Sequence, residues 1–195
     1  MILKDNDLVF AKIKPEATIP TKDNENAGYD IYACFYEDYM VIPPHSTKLI
    51  PTGIASALSE KYYLQVHERG STGSKGMKYG AGVVDSSYRG EIFVCINNIN
   101  DTEIIISKLS LDELINKYGE RSIYDNRCVL INYDGGRTFL VEPNNHSAII
   151  YPYEKAIAQL IVHEVPKMDV KEITYEELQN IPSKRGIGAL GSTGK

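Results

Sequence analysis

Through its first hundred residues the chain alternates short runs of β-branched and aromatic residues with Pro, Gly, Asn and Asp, and leaves no helical pattern between them. The runs are DLVFAKI (7–13), YDIYACF (29–35), TKLIPTGIA (47–55), YYLQVHE (62–68) and EIFVCINN (91–98). Such side chains pack well on a pleated surface, and the residues between them turn the chain. Short strands at near-regular spacing predict an antiparallel sandwich or barrel. The expected class is mainly β.

Two helical signals interrupt this pattern. Ser110-Leu111-Asp112-Glu113 is a capping box, in which the serine hydroxyl accepts from the residue-113 N–H while Glu113 reaches back. Leu111, Leu114, Ile115 and Tyr118 then fall at i, i+3, i+4 and i+7, and Gly119 sits where a C-terminal glycine belongs. Thr174 with Glu177 three residues on signals a second, short helix. Between about 101 and 147 the chain has a character of its own, since Asp134-Gly135-Gly136 between two apolar runs signals a hairpin. From Pro182 to Lys195 it is rich in Gly and Ser without apolar periodicity. With 195 residues, the organisation expected is one domain over 1–195. It carries a helix-plus-hairpin insertion at about 101–147 and a glycine-rich C-terminal arm at about 182–195.

Composition narrows the function. A net charge of −5, from 21 basic against 26 acidic side chains, does not suit a nucleic-acid groove or a polybasic membrane patch. No apolar run nears the ~20 residues of a membrane span, and MILKDNDLVF is too polar for a signal peptide. The expectation is a soluble cytoplasmic protein, or one in the host-cell cytoplasm or nucleus if viral. The three cysteines form no CxxC pair, and the four histidines are scattered, so neither a disulfide framework nor a zinc site is expected.

Five segments are too specific for ordinary turns. AGYDIYA (27–33) sets Gly28, which permits an unusual backbone conformation, beside the carboxylate Asp30. ERGSTGSKGM (68–77) gathers Arg69, Gly70, Ser71, Thr72 and Gly73, a cation with backbone donors and hydroxyls suited to a phosphate. Its spacing is not that of a Walker A loop. GVVDSSYRGEI (82–92) reads as a β-hairpin with Asp85 and Tyr88 on either side of a Ser86-Ser87 tip. Its backbone suits the edge of a planar base, the aromatic makes a flat wall for a sugar, and the carboxylate is able to take a proton from water. KAIAQLIV (155–162) places Gln159 inside an apolar strand, where its amide needs partners. RGIGALGSTG (185–194) offers Arg185, four glycines and two hydroxyls. Ordering it costs roughly 1–2 kcal/mol per residue, which a ligand with several acceptors, such as a polyphosphate, offsets.

In order and spacing these segments closely resemble the five motifs of the trimeric dUTP nucleotidohydrolase (dUTPase) family, over residues 8–99 and 148–195. The resemblance implies a β jelly roll and a homotrimer whose active sites are shared between subunits. The implied reaction is hydrolysis of dUTP to dUMP and pyrophosphate, with Mg²⁺ held by substrate phosphates and waters rather than by protein ligands. It casts Asp85 as the carboxylate that deprotonates the attacking water and Tyr88 as the wall beneath the deoxyribose. The backbone of 83–92, including Val83, Val84, Glu91 and Ile92 and entered through Gly82, is cast as the uracil reader. Residues 69–73 and Gln159 are to hold the phosphates, with Asp30 as supporting carboxylate. Arg185, Gly191, Ser192 and Thr193 are to close over the γ-phosphate from another subunit.

The chain also departs from the family pattern. Gly70 separates the arginine and serine of the second motif, leaving Ser71 and Thr72 both as the phosphate-facing hydroxyl. Glu154-Lys155-Ala156 replaces the usual opening of the fourth motif, and Leu190 stands where an aromatic covers uracil. The 101–147 insertion is unusual for the family and is expected to buttress the trimer or dock a protein partner. Two other readings stand beside this one. A dCTP deaminase shares fold and trimer but needs a glutamate acting at the pyrimidine C4. A regulator would bind a partner protein through the insertion.

Overall fold

The computed structural model describes residues 3–121, 128–131, 137–141 and 148–187. Its first half holds β1 (Leu8–Lys12), β2 (Gly28–Ile31), β3 (Tyr39–Ile42), β4 (Thr47–Pro51), β5 (Ile54–Leu58) and β6 (Tyr62–His67). The single helical turn α1 (Gly70–Gly73), β7 (Met77–Gly80), the two-residue β8 (Val83–Val84) and β9 (Phe93–Asn98) follow. Beyond them come β10 (Glu103–Ser107), α2 (Leu111–Tyr118), β11 (Gly119–Arg121), β12 (Cys128–Ile131), β13 (Arg137–Val141), β14 (Ala148–Pro152), β15 (Ala158–Glu164) and α3 (Tyr175–Gln179). The Cα framework falls into two units, Met1–Val165 and Pro166–Lys195.

The first unit is a jelly-roll-like β sandwich. Its sheets run β2-β15-β6-β8, β14-β10-β3, β4-β9-β7 and β1-β5. The run 47–55 is two strands rather than one. It breaks at Thr52-Gly53, where Gly53 takes φ +66°, so that β4 pairs with β9 and β5 with β1. The main core is built from Ile42, Ile50, Ile54, Leu64, Met77, Ile96 and Leu160, all fully buried. Each such side chain contributes roughly 1.5–3 kcal/mol by leaving water.

Residues 101–147 divide where the sequence suggested one insertion. Glu103–Ser107 is a strand of the sandwich, antiparallel to β3 and parallel to β14. Its unbroken Ile104-Ile105-Ile106 follows from burial on both faces. Ile104 and Ile106 enter the main core, while Ile105 joins Tyr39, Val41 and Leu114 in a second cluster. Parallel neighbours cannot be joined by a tight turn and need a crossover, commonly helical. The segment between β10 and β14 is that crossover. The capping box of α2 forms as expected, with Ser110 N–H donating to Glu113 Oε2 at 2.8 Å and Glu113 N–H donating to Ser110 Oγ at 3.3 Å. Leu111, Leu114 and Ile115 pack onto the second cluster. Gly119 does not adopt a left-handed cap; at φ −80° and ψ 128° it starts β11. Strands β11, β12 and β13 make a small antiparallel sheet, while the Asp134-Gly135-Gly136 turn lies outside the described residues.

In the second unit, Thr174 caps α3 through Glu177 as the spacing suggested, and the described side chains from Pro166 to Ile187 are exposed. No helix among the described residues is long and apolar enough to cross a membrane.

Candidate active site

The antiparallel ladders β2-β15-β6 set Asp30, Gln159 and His67 in one register row. Directly opposite residues of a ladder project from the same face, so the second segment is delivered beside the first and fourth. Arg69 closes this corner. Its Nε lies 2.8 Å from Asp30 Oδ1 and its Nη2 3.0 Å from Oδ2, a bidentate pair with both side chains about one-third exposed. Its Nη1 donates to the Ala156 carbonyl and to Ser71 Oγ, each at 3.4 Å. A guanidinium used on two sides in this way is a rigid fixture rather than a swinging cation.

Helical turn α1 separates the two hydroxyls of its loop. Thr72 is fully buried, and its Oγ1 accepts Arg69 N–H and donates to Arg69 C=O, both at 3.1 Å. Ser71 is exposed. Thr72 is therefore spent on the turn itself, and Ser71, the exposed residue of the two, holds its hydroxyl beside Arg69. Gln159 donates from Nε2 to the Glu68 carbonyl at 2.7 Å, which ties one of its two amide hydrogens to the loop junction. Gly28 lies in a regular strand and not at positive φ. What it provides is room, because a Cβ there would stand 2.9 Å from Gln159 Cβ and 2.4 Å from its Oε1.

The third segment is not a hairpin. Its tip turn is present, with Tyr88 N–H donating to Asp85 C=O at 3.1 Å. The arms, however, pair elsewhere: β8 with β6 on one side, and Ile92 N–H with Ile54 C=O on the other. Gly82 permits the first pairing, since a Cβ there would lie 2.8 Å from the Val66 carbonyl. Between the arms opens a cleft of about 250 Å³ whose lining includes Val83, Val84, Asp85, Tyr88, Glu91 and Ile92. Tyr88 is 45% exposed and Val83 59%. The Ile92 carbonyl accepts from Thr52 Oγ1 at 2.6 Å, and Glu91 Oε1 accepts Gly53 N–H at 2.7 Å. Of the backbone expected at a base, the Ile92 carbonyl is thus engaged by Thr52 and the Glu91 carbonyl by the Tyr88 hydroxyl at 3.0 Å, while the Glu91 side chain, outside that expectation, holds Gly53.

Cleft and phosphate-type corner stand apart. Val84 faces Leu64 on β6 while Gln159 faces His67. Asp85 follows Val84 immediately beyond the paired strand. From Leu64 to His67 is roughly 10 Å along the strand, with two strand spacings, about 10 Å, across it. Arg185 is exposed in the second unit, its N–H donating to Ser183 Oγ at 3.3 Å. Leu190, Gly191, Ser192 and Thr193 lie outside the described residues.

Two residues went unnoticed in the sequence. Tyr151, buried, donates to the Ala156 carbonyl at 2.7 Å, and Tyr79 donates to the Ile157 carbonyl. Burial pushes the hydroxyl pKa of both upward, so both remain donors. Together they pin the turn against which Arg69 leans. No motif marks them, because a tyrosine in a strand gives no hint of where its hydroxyl ends.

Among proteins of known kind, the sandwich is shared with solved jelly-roll dUTPases. A model of the dUTPase family matches residues 15–110. The deoxyuridine 5'-triphosphate nucleotidohydrolase of Candida albicans is 30% identical over 183 residues, covering 93% of this chain and 84% of that protein. That of Hydrogenobaculum sp. is 29% identical over 191 residues, covering 96% and 97%. The dUTPase of Staphylococcus bacteriophage 80alpha, solved with dUpNHpp, shares the fold with a TM-score of 0.65 at 22% identity, covering 97% of this chain and 99% of that one. The chain belongs to the dUTPase family.

Proposed function

We propose that this dUTP hydrolase cleaves its substrate to dUMP and pyrophosphate by attack of water on the α-phosphorus, so controlling dUTP and supplying dUMP for dTMP synthesis. The observation that carries the reading is the cleft in which a carboxylate, Asp85, and a half-exposed aromatic, Tyr88, share one wall. Asp85 orients the water and accepts its proton. Tyr88 lies under the deoxyribose and leaves no space for a 2′-hydroxyl. Ser71, the backbone of residues 70–73 and Gln159 bind the phosphates, with Arg69 fixing the loop through Asp30. Phosphoryl transfer needs positioning and charge neutralisation more than covalent chemistry, which suits a site of backbone donors and fixed side chains.

A Mg²⁺ ion travelling on the triphosphate fits this donor set. Among the described residues no three potential metal ligands converge, and both Asp30 oxygens face Arg69. Octahedral Mg²⁺ commonly keeps phosphate oxygens and waters as ligands, and it supplies charge neutralisation of the phosphates when bound.

The separation of Asp85 from the Arg69–Gln159 corner supports a homotrimer with shared sites. A base and the donors gripping the same phosphate must lie within a few ångströms, so the cleft of one copy is completed by the corner of another. Arg185, Leu190 and Gly191 to Thr193 belong to an arm closing over the γ-phosphate. The crossover at 108–147 buttresses the sandwich through α2. Against a dCTP deaminase stands the engagement of Glu91, the cleft's other carboxylate, with Gly53 and Lys14.

Pyrophosphate release from dUTP, UTP, dTTP and dCTP tests the reading. The expected result is selectivity for dUTP, and an Asp85→Asn variant at least about a hundredfold lower in kcat, as loss of a general base implies. Equal turnover of UTP, or an active Asp85→Asn, refutes it.

A further inference from the structure

Lys14 stands outside every motif described above, yet it reaches the residue on which the cleft wall rests. Its Nζ lies 3.8 Å from Glu91 Oε1 and donates to the Cys34 carbonyl at 3.2 Å. Both side chains of the pair are largely buried, 23% and 17% exposed. The same Oε1 accepts Gly53 N–H at 2.7 Å. On its main chain, Glu91 offers its carbonyl to the Tyr88 hydroxyl at 3.0 Å. Gly90 lets the ring fold back this way, because a Cβ at 90 would meet Tyr88 Oη at 2.4 Å. One residue thus joins a largely buried lysine, a left-handed turn and the aromatic of the cleft.

We propose that Lys14 and Glu91 form a buried charged strut that positions Tyr88, making Lys14 a determinant of sugar specificity although it touches no substrate. The proposal rests on Tyr88 being the sugar wall. A largely buried carboxylate is held in place by its cation and hydrogen bonds. Without the ammonium, Glu91 turns toward water and releases Gly53. The 88–91 segment then loses its anchor, and the ring no longer stands where a 2′-hydroxyl would clash. Displacement by about an ångström is enough to cost a large factor in recognition.

Steady-state pyrophosphate release from dUTP and from UTP, together with amide hydrogen exchange at Gly53 in nucleotide-free protein, tests this. Lys14→Met is expected to raise KM for dUTP about tenfold with kcat changed less than about threefold, and to narrow the preference for dUTP over UTP by a similar factor, within the range for contacting residues. Lys14→Gln, which keeps a donor for Cys34, serves if the methionine variant folds poorly, and Lys14→Arg restores most of the preference. A Lys14→Met/Glu91→Gln double variant is no worse than the worse single one, and Gly53 exchanges faster in both single variants. An unchanged dUTP preference in Lys14→Met and Lys14→Gln, or additive single effects, overturns the strut. A wild-type protein indifferent to dUTP overturns the functional reading instead, while Gly53 exchange still decides whether the strut exists.

Discussion

Gly28 shows how much of this site is decided by single atoms. Its hydrogen faces Gln159 where any methyl group would collide with Cβ at 2.9 Å, so Gly28→Ala forces Gln159 off Glu68 and the overpacked strand to shift. A loss of about 1–3 kcal/mol in urea unfolding is expected, together with a raised KM for dUTP. Tyr79→Phe removes the donor to the Ile157 carbonyl. Leaving that acceptor without its partner costs about 1–3 kcal/mol, read as a lower unfolding midpoint at unchanged m. Leu190→Phe, which returns a stacking surface worth about 1–3 kcal/mol per base, is expected to lower KM; an unchanged KM removes any lid role for position 190. That Asp85 and Tyr88, which line the same cleft, sit together at one turn was legible from VDSSYRG. Lys14 was not, since nothing local links residue 14 to residue 91.

Among the elements, α2 carries the sharpest expectations. Leu114 is fully buried between Tyr39, Val41 and Ile105, so Leu114→Ala is expected to cost about 2–5 kcal/mol by cavity formation, measured by chemical denaturation. The Ser110 N–H and hydroxyl hold the Glu113 carboxyl below its usual pKa. A carboxyl lowered on folding stabilises above its unfolded pKa and loses that contribution as pH falls through the lowered value. Acid titration followed by circular dichroism is expected to show this loss in wild type and not in Glu113→Gln. The box was readable because its partners are three residues apart. The hairpin expected at 82–92 failed for the opposite reason: strand-like arms beside a turn pair with whichever edge is nearest, and here β6 and the 52–54 turn compete successfully.

For the whole molecule, the proposed homotrimer with shared sites predicts complementation between copies. Asp85→Asn and Arg69→Gln variants, each inactive alone, are expected to regain about a quarter of wild-type activity after joint unfolding and refolding, because one pairing in four joins two intact halves. No recovery, with mixed trimers verified by mass, shows that each copy is self-sufficient.

Local spacing determined the mainly β class, both N-terminal capping boxes and the five segments by which the chain resembles its family, since each depends on residues a few positions apart. Only the tertiary structure decided that Glu103–Ser107 belongs to the sandwich, that Thr72 is buried while Ser71 is exposed, and that Glu91 serves Gly53 and Lys14. Those outcomes depend on which strands become neighbours, and pairings between distant residues leave no periodic trace along the chain.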